Sequence, residues 1–192
     1  MIAVVLSALV SVTWPTGTPA QSRDALNAVW DSLEWQLVKA SDLAWHQGEY
    51  DMVARVGYIW IEVNPDNTEA FSTTGYILEA GLQNYDYAEQ VYKRAVQAHP
   101  ARWECKHDLT FFYYMRKRYA EGAMIGEQML ALKPMPTAYH LVAHCYERSG
   151  QLAKSIATWK RALEVDPKND VAMMNLKRVE EMLEKEKAGG EP

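Results

Sequence analysis

The 192-residue sequence contains only two cysteines, Cys105 and Cys145, far apart and outside any CxxC pair. Neither a disulfide-dense framework nor a cysteine-rich metal motif is available to such a chain. It also lacks a basic excess: the formal net charge is −5, which argues against a nucleic-acid binder and its usual basic face. No long block of one charge sign occurs, so the charges read as solvated helix faces. Also missing are a phosphate-binding Walker loop and the GxGxxG, HExxH and GxSxG signatures. Carboxylates are plentiful, but without an enclosing pocket no two of them pair naturally as acid and base. The expectation is a protein without catalysis and without a cofactor.

The opening stretch, MIAVVLSALVSVTWPTGTPA, carries no charged side chain. Its apolar run Ile2 to Val12 and the small residues before Gln21 resemble an export signal, although a basic residue near the start is missing. The run is shorter than the ~20 apolar residues a membrane span needs. Residues 1–20 are therefore expected to be a removable signal, with the rest exported to the periplasm or outside the cell and no stable membrane span. The alternative is a mis-assigned start on a cytoplasmic protein.

What is present is periodicity. The phrase VNPDN at 63–67 returns as VDPKN at 165–169, and Pro65, Pro100, Pro134 and Pro167 are spaced 35, 34 and 33 residues apart. Ahead of each proline lies a turn signal: GEYDMV, QNYDYA, KRYAEG and GQLAKS. Each unit reads as helix, short turn, helix, with proline ending the second helix. This pattern resembles the tetratricopeptide repeat family, built from antiparallel helix pairs of about 34 residues. Pro136 to Asn169 fits best, with Tyr139, Ala143, Tyr146, Ser155, Trp159, Ala162 and Pro167 at the family's packing positions. The second unit carries Gly75, then, after one extra residue in its turn, Ala88, Tyr92, Ala95 and Pro100. The third carries Leu109, Tyr113, Tyr119 and Pro134. Small residues let two helices approach and large ones fill the gaps between them.

The first unit departs from the pattern, with Gly57 where a large residue belongs and Trp60 where a small one belongs. This reads as volume compensation, Gly57 making room for Trp60. Beyond the repeats, Ala172, Met173, Leu176, Val179 and Leu183 form an apolar stripe on a charged helix, as a solvating cap requires. Before them, Leu26, Trp30, Leu33, Leu37, Ala40 and Ala44 follow a heptad spacing. Two readings of that seam stay open: packing back onto Trp60, or a homodimer contact through Leu26, Trp30 and Leu33.

The resemblance implies an all-α, tetratricopeptide-type helical-hairpin solenoid, a right-handed superhelix with a C-terminal capping helix. Its expected parts are a helical extension at 21–33, repeats at 34–67, 68–102, 103–135 and 136–169, a cap at 170–187 and a disordered tail at 188–192. It further implies a concave groove that receives a peptide or protein segment, making the chain a non-catalytic interaction scaffold. The groove positions fall on Trp35, Val38, Asp42 and Trp45; on Glu69, Ser72, Tyr76 and Glu79; on Glu104, His107, Phe111 and Tyr114; and on Thr137, His140, His144 and Glu147. The cap would add Val171, Met174 and Arg178. The aromatic centre Tyr76, Phe111 and Tyr114 would anchor apolar side chains, and the carboxylates would favour a basic or neutral segment. The carboxylate-gripping Lys, Asn and Arg of some family members are absent, Val38, Asp42, Ser72 and Tyr76 standing in those places. An alternative reading takes His140 and His144, four residues apart, with His107 as a metal or small-ligand site.

Overall fold

A computed structural model describes residues 19–189, with side chains from residue 23 onward. The expected signal segment, apart from Pro19 and Ala20, and the last three residues lie outside the described residues. Among the described residues there is no strand. The helices are α1 (Pro19–Gln47), α2 (Tyr50–Val63), α3 (Thr68–Tyr76), α4 (Tyr85–Ala98), α5 (Trp103–Met115), α6 (Tyr119–Leu130), α7 (Pro136–Arg148), α8 (Leu152–Val165) and α9 (Asp170–Gly189). A π-helical turn, Ile77–Gly81, extends α3.

Each tight hairpin is closed by one residue in the left-handed conformation: Gly48, Gln83, Lys117 and Gly150, at φ between 53° and 75°. They recur at the same spacing as the prolines. In the first, third and fourth hairpins the next amide reaches back over the turn, as in Glu49 N to Ala44 O, Arg118 N to Tyr113 O and Gln151 N to Tyr146 O. These bonds satisfy carbonyls that a helix end leaves without partners. The repeated Pro phrase works in the opposite sense, ending one helix and starting the next. Asn67 Oδ1 accepts from the Glu69 and Ala70 amides at 3.0 and 3.2 Å, and Asn169 Oδ1 accepts from Ala172 at 2.9 Å. An N-cap of this kind contributes about 1 kcal/mol.

Every helix packs on its chain neighbour, and α3 also touches α5 while α5 touches α7. The first helices of the second, third and fourth hairpins thus stand side by side as a wall, which is the arrangement of a helical-hairpin solenoid. Small and large positions interlock as the pattern requires: Ala143, Ser155, Trp159 and Ala162 are fully buried. A Cβ on Gly75 would lie 2.5 Å from the Tyr92 ring, and one on Gly126 would lie 2.5 Å from Val142 Cγ2. The apolar interior forms two runs, one from Ala44 to Tyr113 and one from Ala123 to Val179. The two runs meet at α5 and α6: Trp103 and Tyr114 lean on the second, Ile125 on the first.

Several expectations are corrected. Gly57 makes room for α3, not for Trp60: a Cβ there would sit 2.1 Å from Thr74 Oγ1. On α9, Met173 is exposed and Asn175 is buried in its place, its amide donating to Val171 O at 2.8 Å. The same helix continues through Ala188 and Gly189, where a disordered tail was expected. The heptad seam of α1 does not hold throughout: Leu37 and Ala44 are buried, while Ala40 faces solvent. Trp30 and Leu33 gather with Trp60 and Val63 of α2, which favours packing within the chain for these two. Leu26 stays exposed.

Candidate functional site

The wall formed by α1, α3 and α5 holds a cleft of about 620 Å³. Trp45 reaches it from the end of α1; Ser72 and Tyr76 from α3; Ile77 and Glu79 from the π-helical turn; Asp108, Phe111 and Met115 from α5. Trp45, Tyr76, Phe111 and Met115 are 46%, 57%, 47% and 52% exposed, far from the burial of core residues on the same helices. Half-exposed aromatics converging on one concavity have the composition of a recognition surface.

The π-helical turn is the local answer to the extra residue of the second unit. Leu82 N bonds to Ile77 O at 3.0 Å, closing one widened turn. One inserted residue advances the side-chain phase by about 100°. Glu79 and Ala80 consequently line the cleft beside Tyr76. Burial raises the Glu79 carboxyl above its ordinary value, opposed by the Arg116 guanidinium and the neighbouring Tyr92 hydroxyl. Arg116 itself stacks over the Tyr85 ring, 3.7 Å from its centroid. Asp108 lies 3.5 Å from His107 Nδ1.

Of the expected groove residues, Trp45, Ser72, Tyr76, Glu79 and Phe111 come together here. Val38 and Glu69 line a neighbouring hollow of about 370 Å³ between α1, α2 and α3. Trp35 lies outside both, under the Lys39 ammonium at 4.9 Å. Asp42 faces His46 at 3.5 Å, and Glu104 faces Arg102 at 3.9 Å. His107 lies parallel to the Phe111 ring at 6.4 Å. Tyr114 turns away, edge-on to Tyr119 at 5.6 Å and against the second core run, so it joins two hairpins and does not line the cleft.

At the far end the wall is closed by its own contacts. Arg178 makes a bidentate pair with Glu147 at 2.6 and 2.7 Å and holds that carboxyl below its ordinary range. Thr137, at the other end of α7, and Val171 and Met174 on α9 are exposed. His140 and His144 both rest on the Trp159 ring at 5.1 Å. Burial pushes the His140 pKa down, and its Nε2 finds no hydrogen-bond partner. His144 Nδ1 stands 3.4 Å from Glu147. Among the described residues no three His, Cys, Asp or Glu side chains cluster as a metal would require. The structure gives the three-histidine metal reading no support: two imidazoles pack on Trp159 and the third on Phe111.

Asp108, Met115 and Arg116 were not expected at the site. Asp108 and Met115 stand three before and four after Phe111, a helix-face spacing that could have found them. Arg116 is the residue ending α5, and nothing in the repeat pattern points to it.

Residues 136–169 match the model of the tetratricopeptide repeat. A search of the curated proteins finds no match. Solved structures with the same fold include MamA 41-end from Desulfovibrio magneticus RS-1, with 20% identity over 81% of this chain and 88% of that one at a TM-score of 0.63. The thermophilic TPR protein TTC0263 of Thermus thermophilus has 18% identity over 74% and 79%, with a TM-score of 0.56. The first TPR of Spaghetti (RPAP3), bound to the HSP90 peptide SRMEEVD, has 19% identity over 62% and 94%, with a TM-score of 0.54. None of the described helices is long and apolar enough to cross a membrane. Residues 136–169 are thus a tetratricopeptide repeat, and the chain that carries them has the all-α solenoid fold of tetratricopeptide-repeat proteins.

Proposed function

We propose that this protein is a non-catalytic interaction scaffold that receives a segment of a partner protein in the cleft between α1, α3 and α5. The observation that carries this reading is the set of half-exposed aromatics, Trp45, Tyr76 and Phe111, presented by three successive helices of the wall. Their supporting helices are fixed by buried contacts, so little order must be gained when a ligand enters. That one protein of this fold holds an HSP90 peptide supports the choice of a peptide-like ligand. The acidic residues of that peptide find no free clamp on this wall among the described residues: Arg178 is committed to Glu147, and Asp42 and Tyr76 stand at the clamp positions.

The test compares wild type with Tyr76→Ala/Phe111→Ala in capture from native extract, with Ile59→Ala on α2, outside the cleft, as the control. All three side chains are about half exposed, so melting temperatures should agree closely. Aromatic anchors carry roughly 1–2 kcal/mol or more each, so the double variant should lose its proteins while the control keeps them. Retention of the same proteins by the double variant would reject the cleft as the binding surface.

A further inference from the structure

The charges along the wall are unevenly committed. Arg178 is held by Glu147, and Arg116, the one guanidinium at the cleft among the described residues, is engaged over the Tyr85 ring. The carboxylates stand differently. Glu79 makes no ion pair among the described residues, and the nearest partner of Asp108 is the weakly basic His107. Both carboxylates bear on one point at the cleft floor: the Tyr92 hydroxyl, raised well above its ordinary value by burial, is raised further by Glu79 and by Asp108.

Burial outweighs the Arg116 guanidinium and the Tyr92 hydroxyl at Glu79, and a partly desolvated carboxylate that no ion pair offsets is an arrangement an incoming cation relieves. The exposed faces of Tyr76, Phe111 and Trp45 add a second attraction, because aromatic rings draw cations as well as apolar groups. The two features are independent, since one is a matter of charge and the other of ring exposure. The cleft volume falls within the range of specific ligand pockets, about 300–1,000 Å³. Glu79 also owes its place to the π-helical turn, an irregularity that is frequent at functional sites.

We propose that the cleft is a cation-receiving subsite: it takes a Lys or Arg side chain of the partner segment against Glu79 and Asp108, with the adjoining apolar residue on Trp45, Tyr76 and Phe111. This rests on the interaction reading above and narrows its ligand to a basic-apolar segment. An acidic segment would meet two carboxylates, and a purely apolar one would desolvate Glu79 further with no added cation.

The probe is a random-peptide phage library selected on the full chain, followed by synthetic copies of the enriched peptides measured by fluorescence anisotropy. Wild type should enrich peptides with Lys or Arg beside an aliphatic or aromatic residue. Replacing that Lys by norleucine, or that Arg by its uncharged isostere citrulline, should weaken binding about tenfold on wild type and only about twofold on Glu79→Gln/Asp108→Asn. Should that variant not fold, the same analogue comparison on wild type decides, since the loss must shrink as salt is raised. Enriched peptides without Lys or Arg, or an uncharged analogue that binds equally well, overturn the cation subsite and leave the groove reading standing. No enrichment on wild type over Tyr76→Ala/Phe111→Ala overturns both.

Discussion

Replacing Glu89 by Gln should cost stability in a way that depends on pH. Glu89, on α4, is only 15% exposed in its side chain and collects three donors from three helices. Tyr113 of α5 donates to Oε1 at 3.0 Å, Arg118 at the start of α6 donates through Nη2 at 3.1 Å, and Lys93 of α4 stands at 2.7 Å. Arg118 is shared with Glu121, its Nε donating at 2.7 Å. This clip spans the place where the two core runs meet. The Arg118 hydrogen bond, aided by Lys93 and Tyr113 against the cost of burial, depresses the Glu89 pKa from 4.5 to about 2. At 1.36 kcal/mol per pKa unit the ceiling is roughly 3.4 kcal/mol. Water still reaches the carboxylate, and Gln retains part of the bonding, so about 2 kcal/mol is expected near neutral pH.

The sign follows from the direction of the shift. A carboxyl depressed on folding adds stability that is complete above its unfolded pKa of 4.5 and is lost as pH falls toward 2. Urea unfolding of wild type and Glu89→Gln should therefore differ by about 2 kcal/mol near pH 7 and by less than about 1 kcal/mol near pH 3. Carboxylates remote from Arg118 titrate equally in both proteins and cancel in the difference, whereas Glu121, which shares Arg118, is held lower still once the Glu89 charge is gone. A gap that stays constant over that range, or one below about 0.5 kcal/mol near pH 7, would refute the assignment of Glu89 as an ionised clip.

Backbone conformation gives a prediction of opposite sign. Lys117 sits at φ 59° where two of the other hairpins have glycine, so Lys117→Gly should stabilise by about 0.5–1 kcal/mol, read as a melting temperature about 2 °C higher. An unchanged or lower melting temperature would count against the left-handed cap. Gly126→Ala puts a Cβ 2.5 Å from Val142 Cγ2, a fully buried side chain between α6 and α7. It should cost about 1–3 kcal/mol by chemical denaturation, and a neutral outcome would mean that these helices move apart freely.

The fold was legible because helix ends are local chemistry. Proline, the left-handed turn residue and the Asn cap each act over a few residues, and all recur at one spacing. Burial along the wall was less legible because it depends on the neighbouring hairpin. A fixed position in the repeat placed Tyr114 beside Phe111 as an anchor, yet Tyr119 from the next helix covers it. The four-residue spacing suggested ligands in His140 and His144, whose rings instead lie against Trp159 of the paired helix. Reading the face of α5 outward from Phe111 would have returned Asp108 and Met115, whereas Arg116 answers only to the contact it makes with Tyr85.

The distribution of regularity along the chain bears on function. The fourth unit, closest to the family's pattern, buries its aromatic on both histidines and ties its groove carboxylate to Arg178. The charged and aromatic groups of its wall are thus largely engaged within the chain. The second unit breaks the pattern with one added residue, and the helix absorbs it as a π-helical turn instead of lengthening the loop. That choice turns Glu79 into the cleft, where burial outweighs the help of Arg116 and no ion pair is made among the described residues. A sequence that is locally consistent elsewhere and irregular at one concavity concentrates its cost where a ligand can offset it. The irregular hairpins, and not the best-matched one, are therefore where mutation should separate binding from folding.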